Sequence, residues 1–372
     1  MKHLQGFRLF CKLSIISSFL ILSSLLTSCS SVKNMKIKSE AVENKKYKQQ
    51  IQQANEYLVN CNFQGTILIS QKNKIIFAKG YGTSDQNDSS NPQNSINTIY
   101  EIGSITKQIT AAAIMQQIEK KTISLDTTID TYFPEFENGK NITIQMLLTM
   151  RSGLYDYINA AQEFYPKKVA KQIEHNQYNN EPVEDEIVLK YLNDAPMLTS
   201  PDSTFFYCNT DYYLLAKILE KVSGMTYDEY IQKNILKPFG MTNTNSKFQQ
   251  TTAKGYDNKN HYYSFPENYA LGCGNINSTV LDLFKWNTQY PKGKIIKKKS
   301  FKKIISENYY SYGLIKVSDS IFHAGNTNVF NSYNIYNHKT KTSIIILINK
   351  PIYNQNSAQI AENIKKIFEF QI

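Results

Sequence analysis

Apolar residues form β-rich runs near both ends of the chain and recur at helical spacing between them. Near the start, "GTILIS" (65–70) and "KIIFAKG" (74–80) predict a β-hairpin. Near the end, "YSYGLIKV" (310–317), "VFNSYNIYN" (329–337) and "TSIIILIN" (342–349) predict three more strands. The strand-forming sequence therefore lies in two widely separated segments.

Helical spacing predicts a first helix from Tyr47, a short helix over 143–150, a longer helix over 210–224 and a final helix over 357–370. The simplest assembly is one antiparallel sheet that both chain ends build and that helices flank. A mainly helical domain is then inserted between the two ends. This arrangement is an α/β fold of the α+β type.

The same pattern places the domain boundaries. We predict a sheet domain made of residues 47–100 and 272–372, and a helical domain over 101–271. A cleft between two such lobes is the usual place for a small-molecule site. We therefore look for chemistry in residues from both parts.

The N-terminus has the layout of a secretory signal. Basic residues precede an apolar run over 13–26 that is short for a transmembrane helix. The run ends in "LTSC" (26–29), which resembles a bacterial lipobox and implies cleavage before Cys29 and lipidation of its thiol. We predict a signal peptide over 1–28 and a polar tether over 29–46, with an uncleaved membrane anchor as the alternative. The expected location is the bacterial cell envelope, lipid-anchored to a membrane and facing the periplasm or the cell exterior.

Charge adds little to this picture. The 372 residues carry a net charge of +11, but the basic residues are almost all Lys and no aromatic-interleaved basic motif accompanies them. We therefore expect no nucleic-acid partner. The basic stretch over 292–304 is interpreted as a solvated face, with attraction to anionic lipid or wall polymer as the alternative.

Cysteine use limits the chemistry further. Beyond the signal and Cys29, Cys61, Cys208 and Cys273 remain, so at most one disulfide can form. No metal-type CxxC spacing occurs. The sequence predicts neither a metal ion nor a cofactor.

Ser-x-x-Lys is the first candidate for catalysis, and it occurs three times, at Ser30, Ser104 and Ser300. Residues three apart on a helix lie on one side, with Cβ atoms about 5–6 Å apart, so Ser104 and Lys107 can meet. A serine nucleophile needs such a base. Of the three, only Ser104 follows a glycine and opens an apolar helix. From these residues alone, Ser104 is either a nucleophile or a helix cap.

Two further motifs carry a family resemblance. "IGSITKQITAAAI" (102–114), "FFYCNTDYYLLAKILEKVSG" (205–224) and "FHAGNTNVF" (322–330) stand in the order of a Ser-x-x-Lys helix, a Tyr-x-Asn loop and a His-x-Gly strand. The chain resembles the serine β-lactamases and penicillin-binding proteins, over about 65–349. Within them it is similar to the class C β-lactamase-like branch, with its D-aminopeptidase, D,D-carboxypeptidase and esterase relatives.

The resemblance implies a two-step acyl transfer. Ser104 would attack a carbonyl, while Lys107 and Tyr207 would manage its proton; which of the two is the formal base stays open. Asn209 would hydrogen-bond the substrate amide or the Lys107 ammonium. An acyl-enzyme would form and would then pass to water or another acceptor.

The third motif would complete the site. The backbone N–H groups of Ser104 and Asn326 would form an oxyanion hole, and Gly325 would let the substrate lie close to the strand. His323 stands where class C β-lactamases have a lysine, and we expect it to be charged only part of the time near neutrality. This weakens the case for β-lactam carboxylates and favours the peptidase and esterase relatives.

Two neighbours of these motifs are also interpreted. Val329 stands where many relatives have glycine, and we expect it to narrow the cleft. Cys208 lies inside Tyr-x-Asn, and we expect its side chain to point away from the site.

The sequence therefore predicts a membrane-tethered serine hydrolase. We expect it to act through an acyl-enzyme on D-amino-acid-containing peptides or on small esters and amides. A β-lactamase is the alternative enzyme, and a catalytically silent protein that binds cell-wall fragments or β-lactams is the alternative of another class. The oligomeric state is left open.

Overall fold

The computed structural model of the protein describes residues 41–159, 185–247, 251–256, 269–306, 309–327, 329–352 and 355–372. The predicted signal peptide, the lipidation site Cys29 and most of the predicted tether lie outside these ranges, so they stay predictions. Within the described residues, no helix combines the length and the apolar character that crossing a bilayer requires.

Both ends of the chain build one antiparallel sheet of eight strands, in the order β1-β3-β2-β10-β9-β8-β7-β6. The sheet strands are β1 (Ala41–Glu43), β2 (Gly65–Gln71), β3 (Lys74–Tyr81), β6 (Tyr310–Ser311), β7 (Leu314–Val317), β8 (Ser320–Asn326), β9 (Asn331–Asn337) and β10 (Thr342–Ile348). A second, two-stranded sheet pairs β4 (Tyr100–Glu101) with β5 (Asn277–Ser278). The predicted sheet from both chain ends is confirmed.

The two ends meet where β2 pairs with β10, with Ile67 opposite Ile346 and Ile69 opposite Ile344. These isoleucines are fully buried, and they belong to a core cluster beneath the first and last helices of the described chain. β-Branched side chains suit such a pleated, buried surface. The apolar runs at the two ends therefore supply the centre of the sheet.

Nine α-helices are assigned within the described residues. They are α1 (Lys48–Asn60), α2 (Thr106–Glu119), α3 (Ile144–Leu148), α4 (Asp185–Asp194), α5 (Asn209–Ser223), α6 (Tyr227–Ile231), α7 (Val280–Gln289), α8 (Lys298–Ser306) and α9 (Ser357–Ile367). α1 and α9 contribute to the core cluster with the sheet. α2 is buried along most of its length.

The strand predicted over 310–317 is in fact a tight hairpin. β6 and β7 are joined by Tyr312 and Gly313, whose φ angles are 53° and 74°. A side chain at Gly313 would meet the backbone of α2, because a Cβ there would lie 2.5 Å from the carbonyl carbon of Lys107. The turn therefore packs directly against the helix that carries the Ser-x-x-Lys motif.

Two sheet strands are not readable from the apolar pattern. β1 pairs with β3 at the edge of the sheet and lies inside the range 29–46 predicted as a tether, so the sheet begins at Ala41. β8 was expected only from the family resemblance, since its sequence "SIFHAGN" shows little periodicity. The other strands of the large sheet fall within 47–100 and 272–372, and the described part of 101–271 contributes none.

Candidate active site

Ser104 lies at the entrance to α2, in a 3₁₀ turn over Gly103–Ile105. The φ of Gly103 is +50°, and a Cβ there would lie 2.9 Å from the backbone nitrogen of Asn326. The glycine thus permits both the left-handed backbone and the close approach of β8. Ser104 is partly exposed and lines a cavity of about 450 Å³.

Lys107 is fully buried, and three hydrogen bonds surround its ammonium group. Its Nζ lies 2.9 Å from Ser104 Oγ, 2.8 Å from Asn209 Oδ1 and 2.8 Å from the carbonyl oxygen of Cys273. A buried charge is tolerated when it is hydrogen-bonded in this way. The two residues of the motif are therefore in direct contact.

The segment over 272–276 is bound to the same side of α2. Thr110 Oγ1 donates to the carbonyl of Gly272 at 2.6 Å, and the N–H of Ile276 donates to Thr106 Oγ1 at 3.1 Å. The bond between Lys107 and the carbonyl of Cys273 lies between these two. Sequence reasoning missed this contact because a main-chain carbonyl leaves no signature in the residue type.

Tyr207 lines the same cavity as Ser104. The Nζ of Lys107 lies 5.0 Å from the centre of its ring, and its ring meets that of Tyr310 edge-on at 5.9 Å. Among the described residues, no hydrogen bond joins the Tyr207 hydroxyl to Ser104. The structure thus brings the tyrosine beside the lysine, with its ring forming part of the wall.

Asn209 opens α5 and connects Lys107 to a buried carboxylate that sequence reasoning missed. The side-chain nitrogen of Asn209 donates to both oxygens of Asp156, at 3.2 and 2.9 Å, and its backbone N–H donates at 3.2 Å. Asp156 is 4% exposed. The available signal was an acidic residue in "SGLYDY", directly after the predicted helix over 143–150.

His323 is buried and forms part of the cavity lining. Burial, followed by the charge of Lys107, lowers its pKa from 6.5 to about 3. Its Nδ1 lies 2.5 Å from the carbonyl oxygen of Ala324, which can only accept, so Nδ1 carries the proton. Its Nε2 then accepts from the Tyr310 hydroxyl at 3.3 Å, because burial raises the pKa of Tyr310 and keeps that hydroxyl protonated.

The predicted partial charge on His323 is therefore wrong. Desolvation disfavours the imidazolium, so the ring is neutral throughout the physiological range. Both ring nitrogens also have partners within the protein. This histidine cannot act as the cation that a lysine at the same place would supply.

Gly325 and Asn326 continue β8 past the serine. A Cβ at Gly325 would lie 2.0 Å from the carbonyl oxygen of Ile102 and 2.4 Å from Ser332 Oγ. The glycine is therefore required by the packing of β8 on the chain before Ser104. Gly325 also lines the cavity, and its role as space for substrate stays a prediction. The backbone nitrogen of Asn326 comes close to Gly103, as its short distance from a Cβ there indicates.

Val329 and Cys208 both turn away from the cavity. Val329 is buried, and its Cγ2 lies where a side chain on Gly255 would be, so the prediction that it narrows the cleft is wrong. The thiol of Cys208 donates to the carbonyl of Leu154 at 3.4 Å, and burial raises its pKa. Cys61, Cys208 and Cys273 are all free thiols.

Across the described ranges, no group of three His, Cys, Asp or Glu side chains is placed to hold a metal ion.

The chain is similar to known proteins in sequence and in fold. Residues 62–368 match the family model described as "Beta-lactamase". The chain is 28% identical to the putative penicillin-binding protein PbpX of Bacillus subtilis (strain 168), covering 86% of this chain and 78% of that protein. It is 27% identical to the protein flp of Staphylococcus aureus (strain COL), but spans only 59% of that protein's length and 76% of its own.

Solved structures show the same fold. FmtA from Staphylococcus aureus aligns with a TM-score of 0.72 at 23% identity, over 88% of this chain and 91% of that chain. The D-amino acid amidase from Ochrobactrum anthropi SV3 aligns with a TM-score of 0.72 at 19% identity, over 87% and 98%. The resemblance predicted from the three motifs is confirmed by the family match: the chain belongs to the beta-lactamase family and is a serine hydrolase.

Proposed function

We propose that Ser104 is the nucleophile of this hydrolase and that Lys107 and Tyr207 handle its proton. One observation carries the proposal: the only basic side chain that touches the Ser104 hydroxyl among the described residues is a buried lysine, 2.9 Å away. A serine hydroxyl is a weak nucleophile until a neighbouring base takes its proton. The contact provides that base at the edge of a substrate-sized cavity.

The reaction proceeds in two steps. Ser104 Oγ attacks the substrate carbonyl carbon as its proton passes to Lys107 or Tyr207, and the carbonyl π-electrons move to the oxygen. The backbone N–H groups of Ser104 and Asn326 stabilise that oxyanion. The leaving group departs with the proton, and water then attacks the ester to release the acid and restore the Ser104 hydroxyl.

The preferred substrates are D-amino-acid-containing peptides or small esters and amides. Supporting this choice, the neutral His323 supplies no fixed cation to pair with a substrate carboxylate. One protein of similar fold is named a D-amino acid amidase.

A second candidate is acylation by β-lactams. It is favoured by the name of the relative from Bacillus subtilis, a putative penicillin-binding protein. A catalytically silent binding protein is disfavoured by the contact between Ser104 and Lys107, because mere ligand binding does not need a buried base at that distance.

Membrane tethering through a lipid on Cys29 and a location in the cell envelope form part of the same proposal. Their support is the N-terminal sequence alone, in which an apolar run ends in "LTSC". A tethered hydrolase would act on substrates close to the membrane surface.

The test is covalent labelling followed by a substrate panel. The protein is incubated with a fluorophosphonate or with penicillin, and digested peptides are analysed by mass spectrometry. We expect an adduct on Ser104; its absence with both probes would refute the proposed nucleophile. Rates with nitrocefin, p-nitrophenyl esters and D-amino-acid amides then rank the substrate classes, and a dominant nitrocefin rate would favour the β-lactamase alternative.

A further inference from the structure

The hydrogen bonds around Lys107 restrict where its lone pair can point. Two of its three partners, the carbonyl oxygen of Cys273 and Oδ1 of Asn209, can only accept. The third partner, the Ser104 hydroxyl, can also donate. When Lys107 is a neutral amine, its two N–H bonds are used by the two obligate acceptors, and its lone pair faces Ser104.

This geometry depends on the orientation of one amide. The side chain of Asn209 has an acceptor oxygen and a donor NH₂ of nearly the same shape. If the amide were reversed, its NH₂ would face Lys107 and would occupy the lone pair that must take the serine proton. Something in the protein has to hold the oxygen toward the lysine.

Asp156 has the contacts to do so. The backbone and side-chain N–H groups of Asn209 donate to it, and so do the backbone N–H groups of Ile158 and Asn159 and the side chain of Asn159. Every partner is a donor, and both carboxylate oxygens are used. An ionised carboxylate has no hydrogen to offer, so the NH₂ of Asn209 must face it.

We propose that Asp156 is a positioning residue: it fixes the Asn209 amide and thereby directs the Lys107 lone pair toward Ser104. This inference rests on the proposed function of Ser104. Asp156 is absent from the lining of the cavity, so it acts through Asn209 and not on the substrate. Its removal should therefore slow proton transfer while leaving substrate binding nearly unchanged.

Asp156→Asn is the main test, because its amide can donate to Asn209 and so permit the reversed orientation. We expect kcat/KM and the rate of fluorophosphonate labelling to fall about tenfold to hundredfold. This loss is part of the factor that general-base catalysis usually contributes to the rate. KM should change less than threefold. Wild-type labelling by Asp156→Asn, or a loss confined to KM, would overturn the proposal.

A double-mutant cycle separates positioning from general structural damage. If Asp156 acts through Asn209, Asp156→Asn should cost almost nothing further in an Asn209→Ala background. Fully additive losses would contradict the inference. If Asp156→Asn fails to fold, Asp156→Glu and Asp156→Gln can be compared instead. The carboxylate of Glu can only accept hydrogen bonds, whereas the amide of Gln can also donate. The Glu variant should have the higher kcat/KM and the higher labelling rate.

Asp282→Asn is the matched control. Asp282 is also a fully buried carboxylate, and it accepts hydrogen bonds from the N–H of Asn243, from Thr244 and from Lys285. We expect its labelling rate, corrected for the folded fraction, to stay within twofold of wild type. If the wild type itself acquires no adduct on Ser104, the proposed function fails. If the wild type is labelled and Asp156→Asn is labelled at the same rate, the positioning role alone fails.

Discussion

Ser-x-x-Lys occurs twice in the described structure, at the start of α2 and within α8, and the two copies lie in different environments. In α2, Lys107 is fully buried and its ammonium touches Ser104. In α8, Lys303 is exposed, and the hydroxyl of Ser300 donates to the carboxylate of Glu119 at 2.5 Å. Helical spacing places both pairs on one side of a helix, but it does not decide the environment.

The α8 copy has a structural role instead. Glu119 also accepts the backbone N–H of Lys297, just before the helix starts, so its carboxylate caps the helix and Ser300 adds to that cap. Phe301 and Ile304 are buried while the lysines face solvent, as expected for a solvated basic face. Burial of the lysine, together with hydrogen-bond acceptors around its ammonium group, distinguishes the Ser104–Lys107 pair from the Ser300–Lys303 pair.

The largest expected difference between the two copies is in the serines. Ser104→Ala removes the nucleophile and should reduce turnover and labelling by at least about a thousandfold. Ser300→Ala should leave both within twofold of wild type. Hydrolysis of the best panel substrate measures both variants. Normal turnover by Ser104→Ala would mean that another group attacks the substrate.

The lysines should differ next. Lys107→Gln removes the proposed base and should lower kcat/KM by about a hundredfold to ten-thousandfold. It also disrupts the bonds to two buried acceptors, which should lower the free energy of unfolding by about 1–3 kcal/mol. Lys303→Gln should change that free energy by less than about 0.5 kcal/mol. Equal urea midpoints for the two variants would break the comparison.

The smallest expected effect is on the pH dependence of the free energy of unfolding. It comes from the burial of His323 in the site that holds Ser104 and Lys107. Its native pKa of about 3 lies below the unfolded value of 6.5, so the unfolded chain gains a proton first as the pH falls. Stability is therefore lost below pH 6.5, by about 2 kcal/mol between pH 6.5 and 5. His323→Gln should lack this part of the loss in urea titrations. Identical pH slopes for the two proteins would show that His323 takes up its proton at the same pH in the native and unfolded states.

Local patterns in the sequence were enough to predict the central strands of the sheet and the meeting of Ser104 with Lys107. Both depend on neighbouring residues: alternating or buried apolar runs define strands, and a spacing of three defines one side of a helix. The direction in which the Lys107 lone pair points is not set by residues near it in the sequence. It depends on Asp156 and on the carbonyl of Cys273, which arrive from distant parts of the chain.

The errors have the same physical origin. The charge of His323 depends on its burial beside Tyr310. Val329 was expected to narrow the cleft because it stands where many relatives have glycine, yet its side chain packs against Gly255. Residue type alone cannot report which surface a side chain will meet.

The pairing of β2 with β10 has a consequence for biosynthesis. The partner strand of Gly65–Gln71 is Thr342–Ile348, far along the chain, so the central sheet cannot close until the residues of β10 have been made. Residues 323–326 of β8 line the cavity beside Ser104, and β8 is connected to β10 through β9. A nascent chain that stops before β8 therefore has Ser104 and Lys107 but lacks the strand that lines the cavity beside them. Under the proposed function, such a fragment cannot hydrolyse substrate until these strands have been made and paired.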